Sequence, residues 1–216
     1  MSEYAGFFRR VMKSPFTIAF VIGMVAIYVV REASIRRRSA PPPLVHVGPW
    51  SMQDHTGKTF GSTDLKGKVY VASFFFTKCP TICPKLTESI IDLSKRFSGL
   101  EDKVHFVGVT VDPANDTPEV LSAYMKKYGI EGPNWSYLTS TPKGVYDIVA
   151  GQMKLHVGDK QPFAGEGAQP DSYEINHIAE LVLFDQNGDL RAKFGTDPAS
   201  LAALERSAKF LLEAAS

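Results

Sequence analysis

Two near-continuous apolar runs, Val69 to Phe76 and Val104 to Val111 (VHFVGVTV), dominate the hydrophobic pattern of this chain. Runs of this length without polar alternation predict strands buried on both faces. Between and after them the period changes. Leu86, Ile90, Ile91, Leu93 and Phe97 recur at helical spacing and predict a helix over Pro84 to Phe97. A second helix is predicted over Thr117 to Tyr128, opened by Asp116-Thr117-Pro118-Glu119, where a cap precedes a proline suited to the first turn and Asp116 is the most economical cap. Trp135 to Leu138 reads as a short strand and Lys143 to Met153 as a short helix. Leu201, Leu204, Ala208, Leu211 and Leu212 mark a last helix. Gly48 to Phe60 predicts a hairpin turned at His55-Thr56-Gly57, and Leu65 to Lys68 a turn into the first buried strand. Ile178 to Phe184 and Asp189 to Phe194 predict another hairpin, turned at Gln186-Asn187-Gly188. Gly158 to Glu174 (GDKQPFAGEGAQPDSYE) reads as a long Gly/Pro-rich loop, a length that is usually functional or mobile.

The N-terminal part follows a different rule. Ser14 to Val30 (SPFTIAFVIGMVAIYVV) carries no charged residue. As a helix it spans roughly 25 Å, a little short of a hydrocarbon core of roughly 30 Å. Lys13 and Arg31 can snorkel and Tyr28 can sit at the interface, which makes up the difference. A cleaved signal peptide is the rival reading, but Arg31-Glu32 follows directly and no small-x-small site is present where cleavage would fall. The expected organisation is therefore a short segment 1–13, a transmembrane anchor 14–31, a basic and proline-rich tether 32–43, and one folded domain 44–216. Flanking charges barely separate the two orientations, with three basic residues before the span and four after it.

Charge adds little beyond this. Seven of the 24 basic residues precede Pro41, leaving 17 basic against 21 acidic side chains in the remainder. That mildly acidic domain lacks the basic face that nucleic-acid binding requires.

The chemistry is concentrated in one place. Phe74-Phe75-Phe76-Thr77-Lys78-Cys79-Pro80-Thr81-Ile82-Cys83-Pro84 holds both cysteines of the chain, each followed by proline. Two cysteines make no disulfide framework, and a loop this small gains little from a cross-link, so a redox or metal-binding pair is favoured. Proline disfavours α geometry for the residue before it, which predicts both sulfurs on a stiffened loop just ahead of a helix starting near Pro84. The positive end of that helix favours thiolate, the form that attacks disulfides and binds soft metals. With strands alternating with helices and the cysteines at the first long strand-to-helix junction, the plan is an α/β thioredoxin-like fold.

Of the five histidines, His46 and His55 read as surface residues, His105 as a satisfied, partly buried strand residue, and His156 as a conceivable second metal contact. His177 stands between the long loop and the strand from Ile178, a junction that faces the cysteine loop in a thioredoxin plan. Thioredoxin-type oxidoreductases place a cis-proline there, and no proline lies between Pro170 and Pro198. Two thiolates and one imidazole form a soft, low-coordinate set suited to Cu(I) and able to hold Cu(II), whereas structural zinc wants a fourth ligand. Asp112, at the end of its strand near the same sheet edge, reads as a turn residue or as an outer partner of the site. Lys78 reads as an exposed lysine.

At these residues the chain resembles the Sco/SenC proteins, membrane-anchored copper chaperones for the CuA centre of cytochrome c oxidase. The resemblance covers about residues 50 to 212 and the preceding anchor. It rests on the Cys79-Pro80-Thr81-Ile82-Cys83-Pro84 loop, on Asp112-Pro113 through Asp116-Thr117, and on Asn176-His177 with the hairpin after it. It implies that Cys79, Cys83 and His177 bind copper, in a thioredoxin-like domain outside the cytosol. The family usually has Asp before the histidine and Thr or Ser after it. Here Asn176 and Ile178 stand there, so a carboxylate that would orient the imidazole from outside the ligand shell is replaced by an amide.

Two functions follow. The first is a copper chaperone that hands its ion to the CuA-bearing subunit of cytochrome c oxidase, with the Gly158 to Glu174 loop as a candidate docking surface. The second is a thiol-disulfide oxidoreductase that reduces the acceptor's cysteines before metallation. A peroxiredoxin-like peroxidase is disfavoured, since the threonine expected three positions before the attacking cysteine is Phe76. Oxidisable thiols place the domain in the periplasm, held at a bacterial inner membrane, or in the mitochondrial intermembrane space.

Overall fold

The chain divides into two units, Met1–Ala40 and Pro41–Ser216. The computed structural model describes residues 15–36, 42–79, 81–163, 165 and 173–214. The segment 1–13, residues 37–41 of the tether and the middle of the Gly158 to Glu174 stretch lie outside the described residues.

In the first unit, α1 (Pro15–Arg36) continues past the expected anchor by one turn. Phe16, Phe20, Val21, Ile22, Met24, Val25, Ile27 and Tyr28 are all exposed. At 100° per residue these positions leave the stretch from Phe16 to Tyr28 without a polar face. Counted over the described residues, no helix is long and apolar enough to cross a membrane.

The second unit is built on a seven-stranded sheet of order β2-β1-β5-β4-β3-β8-β9. Its strands are β1 (Ser51–Asp54), β2 (Thr59–Gly61), β3 (Val69–Phe75), β4 (Val104–Thr110), β5 (Trp135–Thr139), β8 (Leu181–Phe184) and β9 (Leu190–Phe194). β3, β4 and β5 are mutually parallel, and β1, β8 and β9 close the sheet with antiparallel pairs. Every residue of β3 and β4 is buried, as their unbroken apolar runs require. Parallel neighbours need crossovers, supplied by α2 (Cys83–Lys95) between β3 and β4 and by α3 (Pro118–Lys127) between β4 and β5. A short α4 (Pro142–Tyr146) runs into a π-helical turn, Asp147–Gln152, and α5 (Pro198–Ala214) ends the chain, packing on β3 and α2.

Three expectations are corrected. Gly158 to Glu174 is not a plain loop. Its first part is β6 (Val157–Pro162), paired antiparallel with β7 (Tyr173–His177) as a separate two-stranded arm. The run of Gly, Asp, Lys and Gln hid β6, because both of its faces are largely open to solvent and carry no apolar alternation. The cap of α3 is Thr117, whose Oγ1 accepts the Val120 N–H; Asp116 is fully buried and serves elsewhere. His105 is buried and only half satisfied: Nε2 pairs with Ser136 Oγ at 3.0 Å while Nδ1 has no hydrogen-bond partner. Burial pushes this imidazole down to about 4, so it stays neutral.

Packing beneath the site is aromatic. Phe75 meets Tyr124 and Tyr137, and the Tyr124 hydroxyl pairs with Thr87 Oγ1 at 2.8 Å, which joins α2 to α3 across the end of β3. Gly108 of β4 lies opposite Tyr137 of β5, and a Cβ there would fall 2.8 Å from the ring. Gly108→Ala is therefore expected to destabilise the domain by about 1–3 kcal/mol through overpacking, read as a lower urea midpoint with an unchanged slope.

Candidate metal centre

β3 delivers the chain to Phe76, and a tight turn follows in which the Cys79 N–H donates to Phe76 O at 3.2 Å. The turn is held from below. Asp116 accepts from Thr77 N at 3.1 Å, from Thr77 Oγ1 at 2.5 Å and from Thr110 Oγ1. One carboxylate thus ties the ends of β3 and β4 to the start of α3. Burial pushes it above the usual carboxylate range, against the pull of these three donors.

The two sulfurs are placed differently from expectation. α2 begins at Cys83 itself, with Ile82 as a helical N-cap that offers no side-chain acceptor. The missing acceptor is the Cys79 sulfur, which takes the Cys83 N–H at 3.4 Å. The preference of a residue before proline for extended geometry is overridden at Cys83, because the helix start supplies this bond and buries the side chain. Cys79 is half-buried and Cys83 is buried, and neither is in a disulfide.

Their electrostatics are correspondingly unequal. The Cys83 thiol donates to the Cys79 sulfur, and the backbone N–H groups of Thr81, Cys83 and Ile82 add to it, so Cys79 is held down to about 5. Cys83 is pushed far up, first because it is the donor to Cys79 and then by burial. The helix N-terminus therefore favours thiolate at one sulfur only, and near neutral pH the pair carries one shared proton and one negative charge.

His177 closes the site from β7. Its Nδ1 donates to the Ile178 carbonyl at 2.8 Å. A carbonyl only accepts, so the proton is on Nδ1 and Nε2 keeps its lone pair. Nε2 lies 3.8 Å from Cys83 Sγ. Burial pushes the ring below the ordinary histidine value, which keeps it neutral. The orienting partner in this chain is thus the backbone of residue 178, and Asn176 points to the exposed side of the strand. Phe76 stands edge-on to His177, with centroids 6.0 Å apart. Cys79, Phe76, Thr81, Ile82, Asn176 and His177 line an open cleft of about 290 Å³.

Asp112 is buried, and its Oδ2 accepts from Asn115 Nδ2 at 2.8 Å and from the Tyr173 hydroxyl. It is more than a turn residue, since Tyr173 belongs to the arm. His156 is exposed, and its contact with the rest of the site is a backbone one, from Ile178 N to its carbonyl at 3.3 Å. Lys78 is exposed. Tyr173 was missed from sequence, and Asp116 was read only as a helix cap. Tyr173 shares a strand face with Ile175 and His177, a period-two signal legible only once β7 is recognised. Among the described residues no three His, Cys, Asp or Glu side chains already form a metal cage. The spacing of one donor pair nevertheless suits an ion. With metal–sulfur and metal–nitrogen bonds of ~2.3 and ~2.0 Å about 120° apart, the two donor atoms lie ~3.7 Å from each other, close to the Cys83–His177 separation.

Such a domain is a thioredoxin-like α/β protein with an asymmetric dithiol facing a neutral imidazole. The SCO1/SenC family profile matches residues 39–211, and the chain belongs to that family. The SCO1 protein homolog of Bacillus subtilis is 38% identical over 142 residues, covering 66% of this chain and 74% of that protein. Bradyrhizobium japonicum ScoI, solved with copper bound, superposes with a TM-score of 0.63 at 24% identity, over 76% of this chain and 99% of that one. BsSco, described by its disulfide switch and as a member of the Sco family of cytochrome c oxidase assembly proteins, superposes at 0.61 with 25% identity, over 79% and 98%.

Alkylation tests the asymmetry. In the detergent-solubilised chain, Cys79 labelling is expected to be half-maximal near pH 5, following its pKa of about 5, with reactivity lost below and complete above. Cys83→Ala removes the donor and should move that midpoint up towards the ordinary thiol value of about 8.5. Mass spectrometry of labelled peptides across pH reads both, and an unmoved midpoint would remove the hydrogen bond as cause.

Proposed function

We propose that this protein is a membrane-anchored copper chaperone in which Cys79, Cys83 and His177 hold the ion and pass it to the CuA site of cytochrome c oxidase. The observation that carries the reading is the 3.8 Å approach of His177 Nε2 to Cys83 Sγ, beside the half-buried Cys79 sulfur. Two sulfurs and a neutral imidazole suit Cu(I) and tolerate Cu(II). The ion takes the place of the proton that the sulfurs share, so binding releases protons and weakens as pH falls. Copper bound to the Bradyrhizobium relative and the assembly role stated for the Sco family agree with this assignment.

Transfer proceeds by ligand replacement. Cys79 lines the open cleft, so an acceptor thiolate reaches the ion from that side while Cys83 stays buried. The acceptor in this reading is the CuA-bearing subunit. The uncharged stretch Ser14 to Val30, most of it in α1, is the anchor in a bacterial inner membrane in this reading, with the domain in the periplasm.

A second activity is favoured by the unequal thiols. Cys79 thiolate attacks an acceptor disulfide, forming a mixed disulfide and releasing one acceptor thiolate. Cys83 then resolves it, leaving a Cys79–Cys83 disulfide and the acceptor's second thiol.

An anaerobic Cu(I) titration of the detergent-solubilised chain separates these readings. His177→Ala should lower copper affinity by more than ~10-fold and leave dithiol reduction of a model disulfide intact. Unchanged affinity in His177→Ala sinks the ligand assignment. Alkaline extraction of membranes should leave the full chain in the pellet and release a chain that starts at residue 42.

A further inference from the structure

The β6–β7 arm brings His177 to the sulfurs, yet it shares no ladder with the seven-stranded sheet. A two-stranded ribbon alone is marginal in water. Its position is therefore set where its side chains touch the domain. Along β7, Tyr173, Ile175 and His177 share one face, and Tyr173 and Ile175 are buried. Tyr173 and His177 stand ~13 Å apart along the strand at ~3.3 Å per residue. Two contacts at that separation fix both the position and the tilt of the strand, which one contact does not.

The Tyr173 end is built for this. Its hydroxyl donates to Asp112 Oδ2. Asp112 is itself immobilised: its N–H donates to Thr110 Oγ1 at 3.0 Å, its carbonyl accepts from Asn115 and Asp116 N–H, and Oδ2 also takes Asn115 Nδ2. The Tyr173 ring stacks on Phe76 at 5.5 Å and 18°, and Lys160 Nζ of β6 lies 3.4 Å from its centroid. Phe76, the residue that enters the cysteine turn, touches both Tyr173 and His177.

We propose that Tyr173 is a positioning residue for the metal centre: its hydroxyl, anchored on Asp112, latches the β6–β7 arm so that His177 Nε2 is presented to the Cys83 sulfur. The role of His177 as a ligand rests on the function proposed above; the latch itself is a property of the metal-free protein. Loss of the hydroxyl leaves a buried carboxylate oxygen short of a donor and loosens the arm at its far end, while the cysteine turn keeps its own anchor on Asp116.

Hydrogen exchange on the metal-free, detergent-solubilised full chain reads the latch directly. In Tyr173→Phe the amides of residues 157–161 and 173–177 should exchange about tenfold faster or more, with β3, β4 and α2 protected as in the parent. Asp112→Asn retains an oxygen at the acceptor position and should stay near the parent, while Asp112→Ala should match Tyr173→Phe. After loading with Cu(II), Tyr173→Phe should weaken or lose the nitrogen hyperfine coupling in its resonance spectrum, with the sulfur-to-copper charge-transfer band retained. Parent-like arm protection in Tyr173→Phe, or loss of protection throughout the domain in place of the arm alone, overturns the latch. Copper affinity that survives His177→Ala overturns the ligand reading and leaves the arm result standing.

Discussion

A single buried carboxylate governs where the reactive sulfurs sit. Asp116 has no exposed surface, and it accepts hydrogen bonds from the Thr77 backbone and from the hydroxyls of Thr77 and Thr110. Burying such a group is unfavourable unless its oxygens are satisfied, and here the donors come from the ends of two adjacent parallel strands. The turn after β3 can be reactive and partly open because its root is not free to move. The helix that follows is fixed by a second buried polar contact, between Thr87 and Tyr124. Between these two points the chain has only the cysteine loop to place.

From that placement the chemistry follows. A helix start without a side-chain cap leaves N–H groups unpaired, and the Cys79 sulfur takes one of them. Cys83, one turn later and buried, then donates its proton to the charge it helps create. The asymmetry is therefore geometric in origin: one sulfur faces the donors and the cleft, the other faces the core. The imidazole arrives already in the tautomer a metal needs, because the Ile178 carbonyl holds its Nδ1 proton. In the function proposed above, ligation would draw on all three groups and thiol exchange on the two sulfurs, and both would engage the half-buried Cys79 first.

Much of this was legible before any coordinates. The central strands announced themselves because a strand covered on both faces has no polar alternation to keep. The helices announced themselves through threefold and fourfold spacing, and the cysteine loop through its prolines. The arm did not, since β6 is exposed on both faces and its order comes from pairing with β7, not from its own composition. The misassigned cap at Asp116 has a similar cause. Asp and Thr both suit a helix N-cap, and only the tertiary neighbours Thr77 and Thr110 draw the aspartate inward and leave the task to Thr117. His105 shows the same limit, because half of its hydrogen-bonding capacity is lost to a burial that no local pattern reveals.

Residue order alone determined the α/β plan, the cysteine pair at the end of a buried strand and the late histidine, since these rest on local periodicity and side-chain chemistry. Tertiary structure decided which sulfur carries the charge, which nitrogen of His177 is free, and what holds the arm that brings it in. Those outcomes depend on distances between groups as far apart in the chain as Cys83 and His177, or Asp112 and Tyr173, and such distances exist only after the sheet has formed.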